Sequence, residues 1–101
     1  MLVTVADYSR FIALRQRVID EVNRQREKGE PGKSADGTFT ISFTIEMDGE
    51  MHWNIYLYCY LIGPGRHYEW HGATFLEALR KAEKQINEWI REELERDESD
   101  D

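Results

Sequence analysis

The stretch Thr38-Phe-Thr-Ile-Ser-Phe-Thr-Ile-Glu-Met47 decides the fold, because apolar and polar side chains alternate along it without a break. Every odd position is apolar and every even position is polar. Since successive side chains of a β-strand point to opposite faces of the sheet, the pattern predicts a strand over residues 38–47 with one buried face and one solvated face.

A second alternating segment, residues 51–62, follows the turn residues Asp48-Gly49, and its apolar side chains again occupy odd positions. A two-residue turn would pair odd positions with even ones and place the two apolar sets on opposite faces. We therefore predict a three-residue loop with a glycine bulge, which keeps odd positions beside odd positions. The pattern leaves the register open by two residues.

A third strand is predicted over residues 66–71, after the turn sequence Gly63-Pro64-Gly65. If Pro64-Gly65 form a two-residue tip, Tyr68 and Trp70 join the apolar face of the sheet. The polar face then receives His67, Glu69 and His71.

Amphipathic helices are predicted on both sides of these strands. Thr4-Val-Ala-Asp7 has the form of a capping box, and the first helix is expected to end near Gly29. Its apolar stripe comprises Tyr8, Phe11, Ile12, Val18, Ile19 and Val22. Thr74-Phe-Leu-Glu77 is a second capping box. The stripe that follows it comprises Phe75, Leu79, Ala82, Ile86, Trp89, Ile90 and Leu94.

The order of elements predicts an α+β fold. We expect one domain over residues 1–96, with residues 97–101 as an acidic C-terminal tail. In the expected two-layer sandwich of α-β-β-β-α order, a three-stranded antiparallel meander has two helices packed on one face.

The charge is unevenly distributed. The net charge is −7, yet residues 1–33 carry seven basic against five acidic side chains, so the acidity lies in residues 34–101. Such a surface disfavours nucleic acid as a partner. With one cysteine no internal disulfide is possible, and no apolar run approaches the roughly 20 residues of a membrane span. The N-terminus lacks a signal-peptide pattern, and we expect a cytoplasmic protein.

The polar face of the sheet is the leading candidate binding surface. Three tyrosines on one predicted strand offer stiff contact area with polar tips, which suits recognition of a protein. The alternative is that tyrosine and threonine are present only because they form strands well. The candidate binding residues are His52, Asn54, Tyr56, Tyr58, Tyr60, His67, Glu69 and His71, flanked by Thr40, Ser42 and Thr44.

Two other kinds of site are possible. A metal-dependent hydrolase or oxygenase would use His52, His67, Glu69 and His71. The outer histidines of one flat strand lie roughly 13 Å apart, so His52 or a partner chain would have to complete the site. A nucleic-acid site on the first helix would use Arg10, Arg17, Arg24 and Lys28. We find no catalytic or cofactor-binding motif and predict neither an enzyme nor a cofactor.

The element order resembles a double-stranded RNA-binding domain. Members of that family bind RNA with their first helix, their first hairpin loop and a lysine-rich start of their last helix. At the start of its last helix this sequence has only Arg80 and Lys81 as matching basic residues.

Residues 66–94 resemble the end of HicB-type antitoxins, which carry Gly-x-Thr and then Glu-Ala-Leu. Here Gly72-Ala-Thr74 precedes Glu77-Ala-Leu79, while the N-terminal helix departs from that family.

These features favour a small non-enzymatic interaction module that binds a protein, or a second copy of itself, through the tyrosine-rich face. An inhibitor, an antitoxin-like regulator or a phage-type accessory protein would have this size and acidity. The acidic last helix would add electrostatic selectivity.

Overall fold

The computed structural model describes residues 3–27, 38–45, 47–59 and 66–99. The strands form a single antiparallel sheet in the order β1-β2-β3, and the predicted α+β architecture is confirmed. No helix in these segments is long and apolar enough to cross a membrane. The elements are α1 (Val5–Glu27), β1 (Thr38–Ile45), β2 (Met51–Cys59), β3 (Arg66–Gly72) and α2 (Phe75–Ser99).

Several predicted boundaries differ from those of the structure. The first strand ends at Ile45, two residues early, because Met47 already belongs to the turn. Helix α2 runs to Ser99, so residues 97–99 of the predicted tail continue the helix. The predicted ends of the first helix, of the second strand and of the tail lie outside the described residues.

Both helices begin at the predicted capping threonines. The Asp7 N–H donates to Oγ1 of Thr4 over 3.0 Å, and the Glu77 N–H donates to Oγ1 of Thr74 over 3.1 Å. In the second cap the Glu77 carboxylate accepts from the Ala73 N–H at 3.3 Å. In a standard capping box it would accept from the N–H of the capping residue itself, Thr74. Each cap satisfies a helix donor and contributes about 1 kcal/mol.

The β1–β2 hairpin has the predicted pairing of odd positions with odd positions. Phe43 faces Trp53 and Ile45 faces Met51. Gly49 has a φ of 88°, the left-handed conformation that a glycine bulge requires. These observations confirm the prediction that both apolar sets lie on one face.

The predicted register between β2 and β3 is wrong by four residues. A tip at Pro64-Gly65 would pair Arg66 with Gly63, but Arg66 pairs with Cys59, and Trp70 pairs with Ile55. An even shift leaves every side chain on its predicted face, so the alternating pattern could not detect it. The connecting residues 60–65 lie outside the described part of the chain.

The core lies between the odd-numbered face of the sheet and the two helices. Helix α2 packs on β2 and β3, while the Phe11 ring of α1 stacks on Phe39 of β1 with 4.7 Å between the ring centroids. Trp70 is buried, and its Nε1 donates to Oε1 of Gln85 over 3.0 Å. The other buried apolar residues are Leu14, Val18, Val22, Ile55, Leu57, Phe75, Ala78, Leu79, Ala82 and Ile86.

The predicted apolar stripes are partly wrong. Tyr8 and Ile12 on α1 are 52% and 41% exposed, whereas Leu14 and Gln25 are buried. Helix α1 contacts α2 as well as Phe39 of β1, so its buried side includes Leu14 and Gln25 and leaves Tyr8 and Ile12 outside it. On α2, Leu94 is 43% exposed although it continues the predicted stripe.

Candidate binding site on the polar sheet face

The even-numbered side chains of the sheet form one shallow concave surface of about 620 Å³ on the face opposite the helices. Strand pairing brings them together, because cross-strand partners such as Tyr56 and Glu69 share a face. We call this surface the polar sheet face. It is lined by Thr40, Ser42, Thr44, His52, Asn54, Tyr56, Glu69 and His71.

Asn54 connects all three strands across this face. Its Nδ2 donates to Oγ1 of Thr44 on β1 over 3.0 Å, and its Oδ1 accepts a hydrogen bond from Nδ1 of His71 on β3. Nε2 of the same imidazole lies 3.5 Å from Oε2 of Glu69. Four side chains are thus held in a fixed row by their mutual contacts, which orders the centre of the face before any partner arrives.

Two charged residues at the margin of this face were not among its predicted binding residues. Oε2 of Glu50 lies 3.4 Å from Nε2 of His52, and Nζ of Lys81 donates to the His71 carbonyl oxygen over 2.8 Å. Glu50 and His52 are two residues apart at the start of the second predicted strand, and this spacing was a usable signal for the contact between them. The contact between Lys81 and His71 joins α2 to β3, so it depends on how α2 packs on the sheet.

Two of the three predicted tyrosines can be placed. Tyr56 lines the polar sheet face and is half-buried, and Tyr58 shares its face because it lies two positions along β2. His67 pairs with Tyr58 through the backbone, but its side chain lies outside the described part of the structure. Tyr60 also lies outside the described residues.

Of the four predicted metal donors, Glu69 and His71 contact each other, with Nε2 of His71 3.5 Å from Oε2 of Glu69. His52 lies on the same face but contacts Glu50, and the side chain of His67 is outside the described part of the structure. Within the described ranges, no group of three histidine, cysteine, aspartate or glutamate residues is placed to hold an ion.

The arginines predicted to bind nucleic acid are engaged by acceptors within the chain. Arg10 forms an ion pair with Glu83 of α2, with Nη2 and Oε1 2.5 Å apart, and Arg17 donates to Oδ1 of Asn87. Arg24 donates through Nε to Oε2 of Glu21 over 3.0 Å. A phosphate would have to displace these acceptors. Lys28, the fourth predicted residue, lies outside the described residues.

No family model, curated protein or solved structure matches this chain. The resemblances to double-stranded RNA-binding domains and to HicB-type antitoxins therefore remain predictions.

Proposed function

We propose that this protein is a non-enzymatic regulatory module that binds a neutral-to-basic segment of another protein on its polar sheet face. The observation that carries the proposal is the ordered row formed by Thr44, Asn54 and His71 beside Tyr56 in a concave surface. Pre-ordered polar groups beside an aromatic side chain bind with a small loss of side-chain entropy.

The charge of the surface supports a partner that is not acidic. Neither lysine nor arginine is among the residues that line the polar sheet face, while Glu69 lies on it and Glu50 lies beside His52. The whole chain carries a net charge of −7. This charge speeds encounter with a basic protein and disfavours phosphate backbones.

A binding role suits the chemistry of this face better than catalysis. The contacts of His71 on the face go to an amide and a carboxylate, those of Asn54 and Glu69. A histidine that activates a nucleophile as a general base has to lie in hydrogen-bond reach of a hydroxyl or thiol. The groups on this face are instead arranged to donate and accept hydrogen bonds at fixed positions.

Affinity capture with cross-link mapping from a lysate of the source organism tests the proposal, followed by titration with the purified partner. We expect the wild type to capture a protein whose cross-links map to the polar sheet face. Tyr56→Ala/Tyr58→Ala should weaken its binding by about 30-fold or more, the usual effect of losing an interface hot spot. Glu69→Lys should also weaken binding, because it places like charge against a basic segment.

The matched control is Lys84→Ala/Glu88→Ala, a double substitution at exposed positions of α2. It should bind as the wild type does, and thermal unfolding should show that all variants are folded. Equal binding by the control and by both sheet-face variants would overturn the proposal. So would capture of an acidic protein, or of RNA with a steep loss of affinity in salt.

A further inference from the structure

We infer that two copies of this chain form a dimer through the edge of β1 that faces away from β2 and the adjacent outer side of α1. The inference does not depend on the function of the polar sheet face. It follows from the composition of the two edge strands, from the exposed apolar residues on the outer side of α1, and from the symmetry that an antiparallel pairing of β1 with itself would have.

The two edges of the sheet differ in how they are protected. Among the described strands β1 pairs only with β2, and its eight residues Thr38–Ile45 include no charged residue, no proline and no glycine. The opposite edge, β3, contains Arg66, Glu69 and Gly72. Natural proteins use charge to block pairing at a sheet edge, so β1 is the edge that is suited to accept another strand.

The outer side of α1 carries exposed apolar side chains above this same edge. Arg10 contacts α2 through Glu83 and so marks the side of α1 that faces the other helix. Tyr8 and Ile12 are each two residues from Arg10, which places them roughly 160° around the helix axis. Since Phe11 packs on Phe39 of β1, that opposite side faces outward over the edge of β1 that faces away from β2.

The uncovered end of the hairpin adds apolar area to this region. Phe43 and Ile45 belong to the helix-facing side of the sheet, yet both are exposed, Ile45 at 63%. Two neighbouring apolar side chains of the hairpin, Met47 and Met51, are exposed as well.

Two antiparallel registers of β1 with a second copy pair seven of its eight residues and preserve the faces, one centred on Ile41 and one centred on Ser42; we propose the second, which includes the exposed Ile45. With Ser42 opposite the Ser42 of the second copy, odd positions meet odd positions, so both helix layers lie on one side. Ile45 then lies beside the second copy's Phe39, and Phe43 beside its Ile41. The result is a six-stranded sheet whose two polar faces are continuous.

Charge does not oppose this association. Helix α1 carries five arginines against four acidic residues, and β1 is uncharged, so the contact avoids the acidic half of the chain. Apolar side chains and backbone hydrogen bonds would supply the affinity. The association should therefore depend only weakly on salt.

Sedimentation equilibrium over a range of concentrations is the test, with Ile45→Lys as the blocking variant. We expect a dimer for the wild type and a dimer dissociation constant raised about 100-fold or more for Ile45→Lys, since symmetry introduces each substitution twice. Ile45 is exposed in the single chain, so the variant should fold. Leu94→Lys, the same change at an exposed position of α2, should leave the dimer intact.

Disulfide cross-linking reports the register. In a Cys59→Ser background, Ser42→Cys should cross-link to its own copy on oxidation, whereas Thr40→Cys, which would face the second copy's Thr44, should not. A wild type that is monomeric at every concentration would overturn the inference. Equal dimerisation of Ile45→Lys and Leu94→Lys would do the same. The polar sheet face is unchanged in Ile45→Lys, so loss of the dimer leaves the partner-binding experiment independent.

Discussion

Gly72 at the end of β3 lies so close to Ala78 in α2 that a Cβ on the glycine would fall 2.7 Å from the Ala78 backbone nitrogen. The same atom would lie 2.9 Å from Cβ of Glu77 and 3.0 Å from the Thr74 carbonyl oxygen. The glycine therefore permits the tight passage from the last strand into the helix, whose capping residues begin two positions later.

Replacing this glycine should destabilise the protein more than replacing a glycine in an open turn. We expect Gly72→Ala to lower the free energy of unfolding by about 3 kcal/mol, because the neighbouring backbone must shift to admit the methyl group. Gly49→Ala should cost about 1 kcal/mol, from its positive φ alone, since nothing lies within 4 Å of that position. Urea denaturation of both variants measures the difference, and equal losses would contradict the close packing at Gly72.

Two leucines of one predicted stripe should respond differently to truncation. Leu79 is fully buried, and Leu79→Ala should lower the free energy of unfolding by about 3 kcal/mol through loss of buried area and creation of a cavity. Leu94 is 43% exposed, and Leu94→Ala should change stability by less than about 0.5 kcal/mol. Chemical denaturation tests both, and a large loss for Leu94→Ala in the monomer would show that it is covered.

The ion pair between α1 and α2 should make a small, salt-sensitive contribution. Arg10 and Glu83 side chains are 43% and 23% exposed, so a double-mutant cycle to alanine should give a coupling energy of about 0.5–1 kcal/mol. High salt should reduce it. The cycle for Arg91 and Glu95, at 4.0 Å and both well exposed, is the control and should give about zero. A larger coupling in the control would contradict this ranking.

The contact between Asn54 and His71 should fix the tautomer of the imidazole. Because Oδ1 of Asn54 accepts from Nδ1, the neutral ring should carry its proton on Nδ1. Nitrogen-15 NMR of the ring distinguishes the two tautomers. Asn54→Leu should shift the population toward the Nε2–H form, while the signals of His52, which contacts Glu50 instead, should change little. An unchanged His71 spectrum in the variant would show that the contact does not form.

The sequence predicts which side chains lie on the polar sheet face, but it does not predict which of them lie opposite one another. Alternation alone placed His52, Asn54 and Tyr56 on one face, because residues two apart in a strand share a side. It could not show that Asn54 rather than Tyr58 lies opposite His71, since that depends on the register of β3. The central hydrogen-bonded row is therefore a tertiary feature.

The sequence by itself determined the properties that depend on near neighbours along the chain. Spacings of a few residues determine the caps at Thr4 and Thr74 and the order of the elements. They also determine the odd–odd pairing of the first hairpin. The four-residue shift of β3 and the exposure of Tyr8 and Ile12 depend on tertiary packing. An even shift changes no face, and the exposure of a side chain at the border of an apolar stripe depends on what packs beside the helix, so neither leaves a local signal in the sequence. The burial of Leu14 was detectable, because Leu14 lies three residues after Phe11 and four before Val18.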